Sequence, residues 1–169
     1  MAHFLSKVTI IGIDPGLQKT GWGIIDCVGN RISHIANGII APPVNASLAT
    51  RLGLIFEKLT EIIENYNPDE AAIEETFIAN SPKTSLLLGQ ARGAAMVALA
   101  HKNLDVNEYA TRLIKKSVVG TGTADKEQIG FMVRRLLPNC GTLSSDSADA
   151  LAAAITHSTL RNSPQARVK

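Results

Sequence analysis

The pattern of apolar and polar positions predicts five strands and five helices in the order β-β-β-α-β-α-β-α-α-α. Residues 8–14 (VTIIGID) are a mostly apolar, β-branched run, which is typical of a strand buried on both faces of a sheet. Residues 22–27 and 31–41 follow as two strands joined by a short turn, so the first three strands form an antiparallel meander.

The rest of the chain alternates helices with strands and then ends in helices. Leucines and isoleucines recur at helical spacing after residue 47, and Asn67-Pro68 ends that pattern. The predicted elements are a helix over 47–66, a strand over 70–75, a helix over 82–102, a strand over 105–109, and helices over 111–119, 125–137 and 145–160. This order predicts an α/β fold: a five-stranded mixed sheet, an antiparallel three-strand meander plus parallel strands, flanked by helices. We expect the first, fourth and fifth strands to be parallel and central.

Composition indicates one domain with a core. The 169 residues are 45% hydrophobic and 19% charged, which excludes a disordered chain. We expect a single domain over residues 1–160 and a flexible basic tail over 161–169. Cys27 and Cys140 form neither a disulfide framework nor a paired metal motif. No signal peptide or membrane-spanning run is evident, so we expect a cytoplasmic protein with no membrane partner.

Charge is distributed unevenly along the chain. Residues 57–75 contain seven acids and one lysine, a balance of −6, whereas residues 111–135 contain six bases and two acids, a balance of +4. Such runs are usually solvated helix faces. The alternative is a metal-dependent enzyme that acts on a polyanionic backbone. Charge alone does not decide between them.

Four acids stand out by position. Asp14 and Glu74 end two strands predicted to be parallel, while Asp146 and Asp149 are three residues apart near the start of the last helix and therefore share a face. Each also has an ordinary interpretation: Asp14 could form a turn, Glu74 could be an exposed strand-end acid, and Asp146 could cap the helix. Glu75 alternates to the other face from Glu74, so only one of the two can face Asp14.

Gathered together, the four carboxylates would repel one another unless a hard cation neutralised them. Oxygen ligands without a cysteine or histidine set favour Mg²⁺ or Mn²⁺. Two such ions could activate a water and stabilise the leaving oxygen of a phosphodiester. The four acids therefore predict a metal-dependent phosphodiesterase, provided that the fold brings them together.

Other motifs are less specific. The glycine-rich segment 12–23 is not a phosphate-binding loop, because Trp22 stands where lysine is needed and no helix follows. Its glycines are expected to serve a tight turn. Phe77 could plug the core or stack on an unpaired base. His157 is expected to be a structural or surface residue.

Five segments resemble the RuvC family of bacterial Holliday-junction resolvases. They are IGIDPGLQKTGWGIID (11–26), AIEETF (72–77), LGQARG (88–93), EYATRLIKKSVVGTGTADK (108–126) and SDSADALAAAITH (145–157). The resemblance extends from about residue 8 to 160, with the motifs in order.

This resemblance implies a ribonuclease H-like fold and symmetric paired nicking of four-way DNA junctions in recombination and repair. It places the family's catalytic, metal-binding carboxylates at Asp14, Glu74, Asp146 and Asp149. It implies two Mg²⁺ ions per subunit, with Mn²⁺ able to substitute, a homodimer, and work alongside the RuvA–RuvB branch-migration complex.

The family's loop aromatic, which is implicated in opening bases, matches Phe77. The lysines implicated in DNA handling match Lys115 and Lys126. From the charge pattern we further expect Arg112, Lys115 and Lys116 to hold the phosphate backbone. The small residues of the helix over 82–102 would allow close approach of a second helix, which predicts the dimer contact there.

Two other functions compete with this interpretation. An ATP-binding module of the actin and sugar-kinase superfamily also begins with a strand, an aspartate and a hairpin, but such proteins need two lobes and this chain is long enough for one. A junction-binding protein without cutting activity would have no need of four mutually repelling acids.

Overall fold

The computed structural model describes residues 6–75 and 81–162. The strands are β1 (Lys7–Asp14), β2 (Thr20–Val28), β3 (Arg31–Ile40), β4 (Glu70–Glu74) and β5 (Val106–Tyr109). The helices are α1 (Leu48–Tyr66), α2 (Pro82–His101), α3 (Thr111–Val119), α4 (Lys126–Leu136) and α5 (Ser145–Leu160). The predicted order of elements is confirmed, and β2 begins two residues earlier than expected.

The sheet has the strand order β3-β2-β1-β4-β5. The meander β1-β2-β3 is antiparallel, while β4 pairs parallel to β1 and β5 parallel to β4. The mixed sheet is therefore confirmed. The expectation that the fifth strand is central was wrong: β5 is an edge strand of four residues, and exposed Glu108 lies within it. An edge strand needs only one neighbour, so its short polar sequence suffices.

Helices cover both faces of the sheet and create two cores. On one face, Ile11, Ile13 and Ile24 pack with apolar residues of α1 and α2. On the other, Ile10 and Ile25 pack with residues of α3, α4 and α5. The strict alternation along β1 follows from the two-residue period of a strand, and it assigns every β1 side chain to one helix layer or the other.

Glycines let α5 lie unusually close to the sheet. A Cβ atom at Gly12 would overlap the carbonyl oxygen of Ala150 and lie 2.8 Å from the nitrogen of Ala154. Gly21 and Gly23 face α5 in the same way. The expectation that these glycines serve a turn was wrong for all three, because they lie inside β1 and β2; only Gly16 packs within the β1–β2 turn, against Lys19. Their missing side chains instead set the helix-to-sheet spacing.

A polar network fastens the C-terminal end of α5 to the start of β4. His157 is buried and contacts both Tyr109 (Nδ1 to Oη, 2.7 Å) and Glu70 (Nε2 to Oε2, 2.7 Å). Arg161 pairs with the same glutamate, donating from Nε at 2.8 Å. That hydrogen bond lowers the pKa of Glu70 and keeps the pair charged. The structural role expected for His157 is confirmed, and Arg161 is fixed in place although we expected the tail to begin there.

Two further sequence expectations concern the cysteines and the membrane. Cys27 and Cys140 are both buried and free. Within the described parts of the chain, no helix is long and apolar enough to cross a membrane.

Candidate active site

Strand pairing brings Asp14 and Glu74 side by side. Ile13 is in register with Ile73 in the parallel pair, so the next residue of each strand is one of these acids. Ile13 and Ile73 both point into the α1–α2 core, and alternation therefore turns Asp14 and Glu74 to the opposite face, beneath α3–α5. The shared rim predicted for these two carboxylates is present.

The first turns of α5 bring the other two acids to this rim. Asp14 is paired with Gly21 on β2, and the backbone of Asp146 lies directly over Gly21. Ser144, not Asp146, caps the helix: its hydroxyl accepts from the nitrogen of Ser147 at 3.1 Å within a capping box. Asp146 and Asp149 are thereby left free of capping, and both are half-buried.

Three of the four acids line one cavity of about 200 Å³, and the fourth lines a pocket beside it. The cavity is lined by Asp14, Glu74, Asp149, Thr111, Ile114, Lys115, Lys126 and Ile129. Asp146 lines the adjoining pocket, and Lys126 lines both. The four acids therefore lie around two adjoining cavities, together called the cleft, at the end of β1 and β4.

Burial and the charges of neighbouring acids raise the pKa values of carboxyl groups in the cleft. Burial, followed by the negative charges of Glu74, Asp149 and Asp146, raises the pKa of Asp14 to about 8. Burial also raises the pKa of Glu74 and of Asp149, with the neighbouring carboxylates adding to the effect. The ionised form of these carboxylates is therefore disfavoured in the cleft, and a bound cation would stabilise it.

Two groups partly compensate this charge. The ammonium of Lys126 lies 3.6 Å from Oδ2 of Asp149. Lys126 is the first residue of α4, where the helix dipole disfavours a cation, so the carboxylate offsets an unfavourable position. Thr111 donates a hydrogen bond from Oγ1 to Oε1 of Glu74.

The residues fit a hard divalent cation by chemistry. Every acidic side chain of the cleft offers carboxylate oxygen, the ligand that Mg²⁺ prefers, and the pKa values of Asp14, Glu74 and Asp149 are raised, first by burial and then by neighbouring carboxylates. Over residues 6–75 and 81–162, no three acidic, histidine or cysteine side chains form a preformed ligand set. Asp149 instead pairs with Lys126, and Glu74 accepts a hydrogen bond from Thr111.

The basic residues predicted to hold DNA fall into two groups. Lys115 and Lys126 line the carboxylate cavity. Arg112 and Lys116, one helical turn apart on α3, are exposed to solvent outside it. The single cluster predicted for Arg112, Lys115 and Lys116 is thus divided: Lys115 lines the cavity, whereas Lys116, about 100° further around the helix, is exposed together with Arg112. Phe77 lies outside the described residues.

Sequence reasoning missed two groups that hold Glu74. Besides Thr111, the Arg92 side chain donates from Nε to the carbonyl oxygen of Glu74 at 3.4 Å and pairs with Glu108. A threonine at a helix start and an arginine in an alanine-rich helix were the only signals, and both residue types are common in those positions. Neither could be tied to Glu74 without the sheet register.

Comparison with known proteins finds similarity to one family of nucleases. The family model described as crossover junction endodeoxyribonuclease RuvC matches residues 10–157. The RuvC of Caulobacter vibrioides is 55% identical over 152 residues, which cover 90% of each chain. The RuvC of Paramagnetospirillum magneticum is 51% identical over 156 residues, covering 92% of this chain and 94% of its own.

Solved structures agree with the sequence relatives. Thermus thermophilus RuvC in complex with a Holliday junction substrate superposes with a TM-score of 0.81 at 28% identity, covering 89% of this chain and 92% of its own. The yeast mitochondrial Holliday junction resolvase Ydc2 shares the fold alone, with a TM-score of 0.63 at 9% identity, over 88% of this chain and 78% of its own. These neighbours confirm the ribonuclease H-like fold. With nearly its whole length matched, the chain belongs to the RuvC family of crossover junction endodeoxyribonucleases.

Proposed function

We propose that this chain resolves four-way DNA junctions in recombination and repair by Mg²⁺-dependent, symmetric paired nicks, with Asp14, Glu74, Asp146 and Asp149 as its catalytic carboxylates. The observation that carries the proposal is that these acids line two adjoining cavities together with two lysines. Acids whose pKa values are raised by burial and by neighbouring carboxylates destabilise a fold, and such an arrangement is typical of an active site.

The carboxylates would hold the metal, two Mg²⁺ ions per subunit with Mn²⁺ able to substitute. When bound, these ions supply charge neutralisation, a more acidic water and stabilisation of the leaving oxygen. Asp14 and Glu74 are held by the ends of β1 and β4, and Thr111 and Arg92 fix the latter strand end. Rigid strands hold these oxygens in place before substrate arrives.

The two lysines of the cleft would contact the substrate phosphate rather than the metal. Lys115 and Lys126 stand among the carboxylates, where an ammonium group can contact a nonbridging phosphate oxygen of the scissile strand. Lys126 is 71% exposed and already 3.6 Å from Asp149, so it can exchange a carboxylate for a phosphate with a small movement. We propose that both lysines position the scissile phosphate.

Exposed Arg112 and Lys116 extend positive charge along α3 beyond the cleft. We propose that they bind the DNA backbone at a distance from the cut, which adds affinity without sequence preference. For Phe77 we propose the role in opening bases that the family resemblance implies.

A homodimer would give two such sites for two symmetric nicks. One stripe of α2 supports this: Leu86 and Val97 are 64% and 58% exposed, and a Cβ atom at Gly89 or Gly93 would meet nothing within 4 Å. These four residues lie at i, i+3, i+7 and i+11 on a helix whose opposite face is buried. We propose that this stripe packs against its copy. A Gly93→Leu variant that stays dimeric by light scattering would contradict this.

Two further elements of the proposal rest on the family resemblance. We propose that residues 1–160 act as one nuclease domain and that the protein works with the RuvA–RuvB branch-migration complex. Binding of the purified chain to that complex on a junction, measured by native gel shift, tests the second point.

The proposed activity is tested with a synthetic four-way junction labelled on each strand. We expect paired nicks in opposite strands that require Mg²⁺ or Mn²⁺ and vanish in Asp14→Asn. An ATPase assay on the same preparation addresses the ATP-binding alternative, and ATP turnover without nicking would overturn the proposal.

A further inference from the structure

A second pocket, of about 620 Å³, adjoins the carboxylate cavity. It lies between the β1–β2 loop, the start of α1 and the first two turns of α2, and it shares Lys126 with the cavity while Asp146 forms part of its wall. Its volume falls within the ~300–1,000 Å³ range of small-ligand sites. The carboxylate chemistry described above makes no use of the residues that line most of it.

Two of the cations that line the pocket, Arg51 and Lys19, have no ion-pair partner among the described residues. Arg51 donates from Nη2 to the carbonyl oxygen of Leu17 at 3.0 Å, which orients the guanidinium, while its Nε is buried with no hydrogen-bond partner among the described residues. Neither Arg51 nor exposed Lys19 is ion-paired with any carboxylate in the described parts of the chain. A held, unpaired guanidinium beside a free ammonium is a suitable site for phosphate oxygens.

The same pocket has an apolar side. Leu17, Leu87 and Leu88 line it and are half-buried. Their partial exposure leaves surface on which a flat ring or a sugar can pack, gaining the free energy of apolar burial. Cations on one side and leucines on the other match a nucleotide better than a free anion or a purely apolar ligand.

We propose that this pocket binds one nucleotide of the cleaved strand, adjacent to the scissile phosphate, with its phosphate on Arg51 and Lys19 and its sugar and base on the leucines. Lys126 lines both the pocket and the carboxylate cavity, and the pocket adjoins the acids through Asp146, so a strand lying in one can extend into the other. The inference rests on the proposed function, because it takes a junction strand as the ligand. It assigns strand positioning to residues outside the carboxylate cluster.

The test is a coupling measurement on uncharged phosphate linkages. In the Asp14→Asn background, binding of junctions is measured by fluorescence anisotropy, with one methylphosphonate placed in turn at each of several linkages on either side of the cut. We expect one flanking position to weaken binding about tenfold, the effect of losing a charge-assisted hydrogen bond. Adding Arg51→Gln should remove that sensitivity, and Lys19→Gln should reduce it.

Arg31→Gln is the matched control, since Arg31 is exposed at the far hairpin, and it should keep the full sensitivity. If Arg51→Gln lowers the melting temperature, Lys19→Gln decides, because that side chain is exposed. An unchanged methylphosphonate profile in both variants overturns the pocket assignment. Failure of the wild-type chain to nick junctions would instead overturn the proposed function, so the two failures are distinguishable.

Discussion

The α-carbon of Gly21 lies directly beneath the carbonyl oxygen of Asp146, so closely that a Cβ atom at position 21 would overlap that oxygen. Gly21 is also the β-sheet partner of Asp14. The spacing between α5 and the sheet next to Asp14 is therefore set by a missing side chain.

Gly21→Ala should separate α5 from the sheet and impair both stability and cleavage. Overpacking of this kind costs about 1–3 kcal/mol, or a few degrees of melting temperature for each kcal/mol. We expect nicking to fall more than junction binding, because Asp146 moves away from Asp14 while the exposed basic residues stay in place. Gly53→Ala on α1 is the control, since nothing lies within 4 Å of its added Cβ. Equal cleavage by the two variants would contradict the role assigned to Gly21.

Glu74→Gln should abolish nicking, whereas Glu75→Gln should not. The two neighbours carry the same charge, but only Glu74 lines the cavity, where the loss of one carboxylate oxygen weakens the cation site. We expect a loss of at least about 100-fold for Glu74→Gln, typical of one electrostatic group in an active site. Single-turnover cleavage of a labelled junction measures both variants, and comparable losses would exclude a specific role for Glu74.

Without metal, Asp14→Asn should stabilise the protein, and increasingly so as the pH rises. The pKa of Asp14 is raised from 3.8 to about 8, so between these values the folded state binds more protons than the unfolded state. The free energy of unfolding therefore falls with rising pH across this window. Melting in chelator at about pH 5 and about pH 8.5 should show the larger advantage of Asp14→Asn at the higher pH. Glu57→Gln, the same charge change on the surface, should show no such trend; a pH-independent difference would contradict the assignment.

Mg²⁺ should raise the melting temperature of the wild-type chain at pH 8. A cation that binds only the folded state at tenfold its dissociation constant adds about 1.4 kcal/mol to stability. The same addition should have little effect on Asp14→Asn, and sodium chloride at matched ionic strength serves as the control. Equal Mg²⁺ shifts in both proteins would place the ion elsewhere.

Arg112→Gln and Lys116→Gln should weaken junction binding without a matching loss in cleavage at saturating protein. Each removes one exposed charge that we propose binds phosphate, so the slope of log affinity against log salt should fall by about 1. Lys115→Gln, inside the cavity, should instead lower the cleavage rate. If all three variants behave alike, the division of the basic residues into two groups is wrong.

The sheet and its helices could be predicted because each element follows from the apolar pattern within its own segment of the sequence. The β-branched run before Asp14 and the helical spacing that ends at Asn67-Pro68 each follow from a period that no distant contact alters. The position of β5 in the sheet could not be predicted, because over only four residues an edge strand and a central strand have similar residue patterns.

In the site, too, some features follow from the local sequence and others depend on tertiary packing. That Asp14 and Glu74 share a rim follows from two parallel strand ends, which the element order implies. That α5 lies close enough to add Asp149 depends on glycines of β1 and β2, and their partners are more than a hundred residues away in the chain. The sites of Arg51 and Thr111 likewise depend on tertiary packing.

Glu70, His157 and Arg161 tie β4 to α5 at the end of the sheet remote from the acids. His157 is eight residues beyond Asp149 on the same helix, roughly 12 Å along its axis. The residues that anchor α5 and the end of α5 that carries Asp146 and Asp149 are thus separate parts of one rigid helix. A substitution at Glu70, His157 or Arg161 would therefore tilt α5. It would lower the cleavage rate in an assay although none of the four carboxylates had been changed.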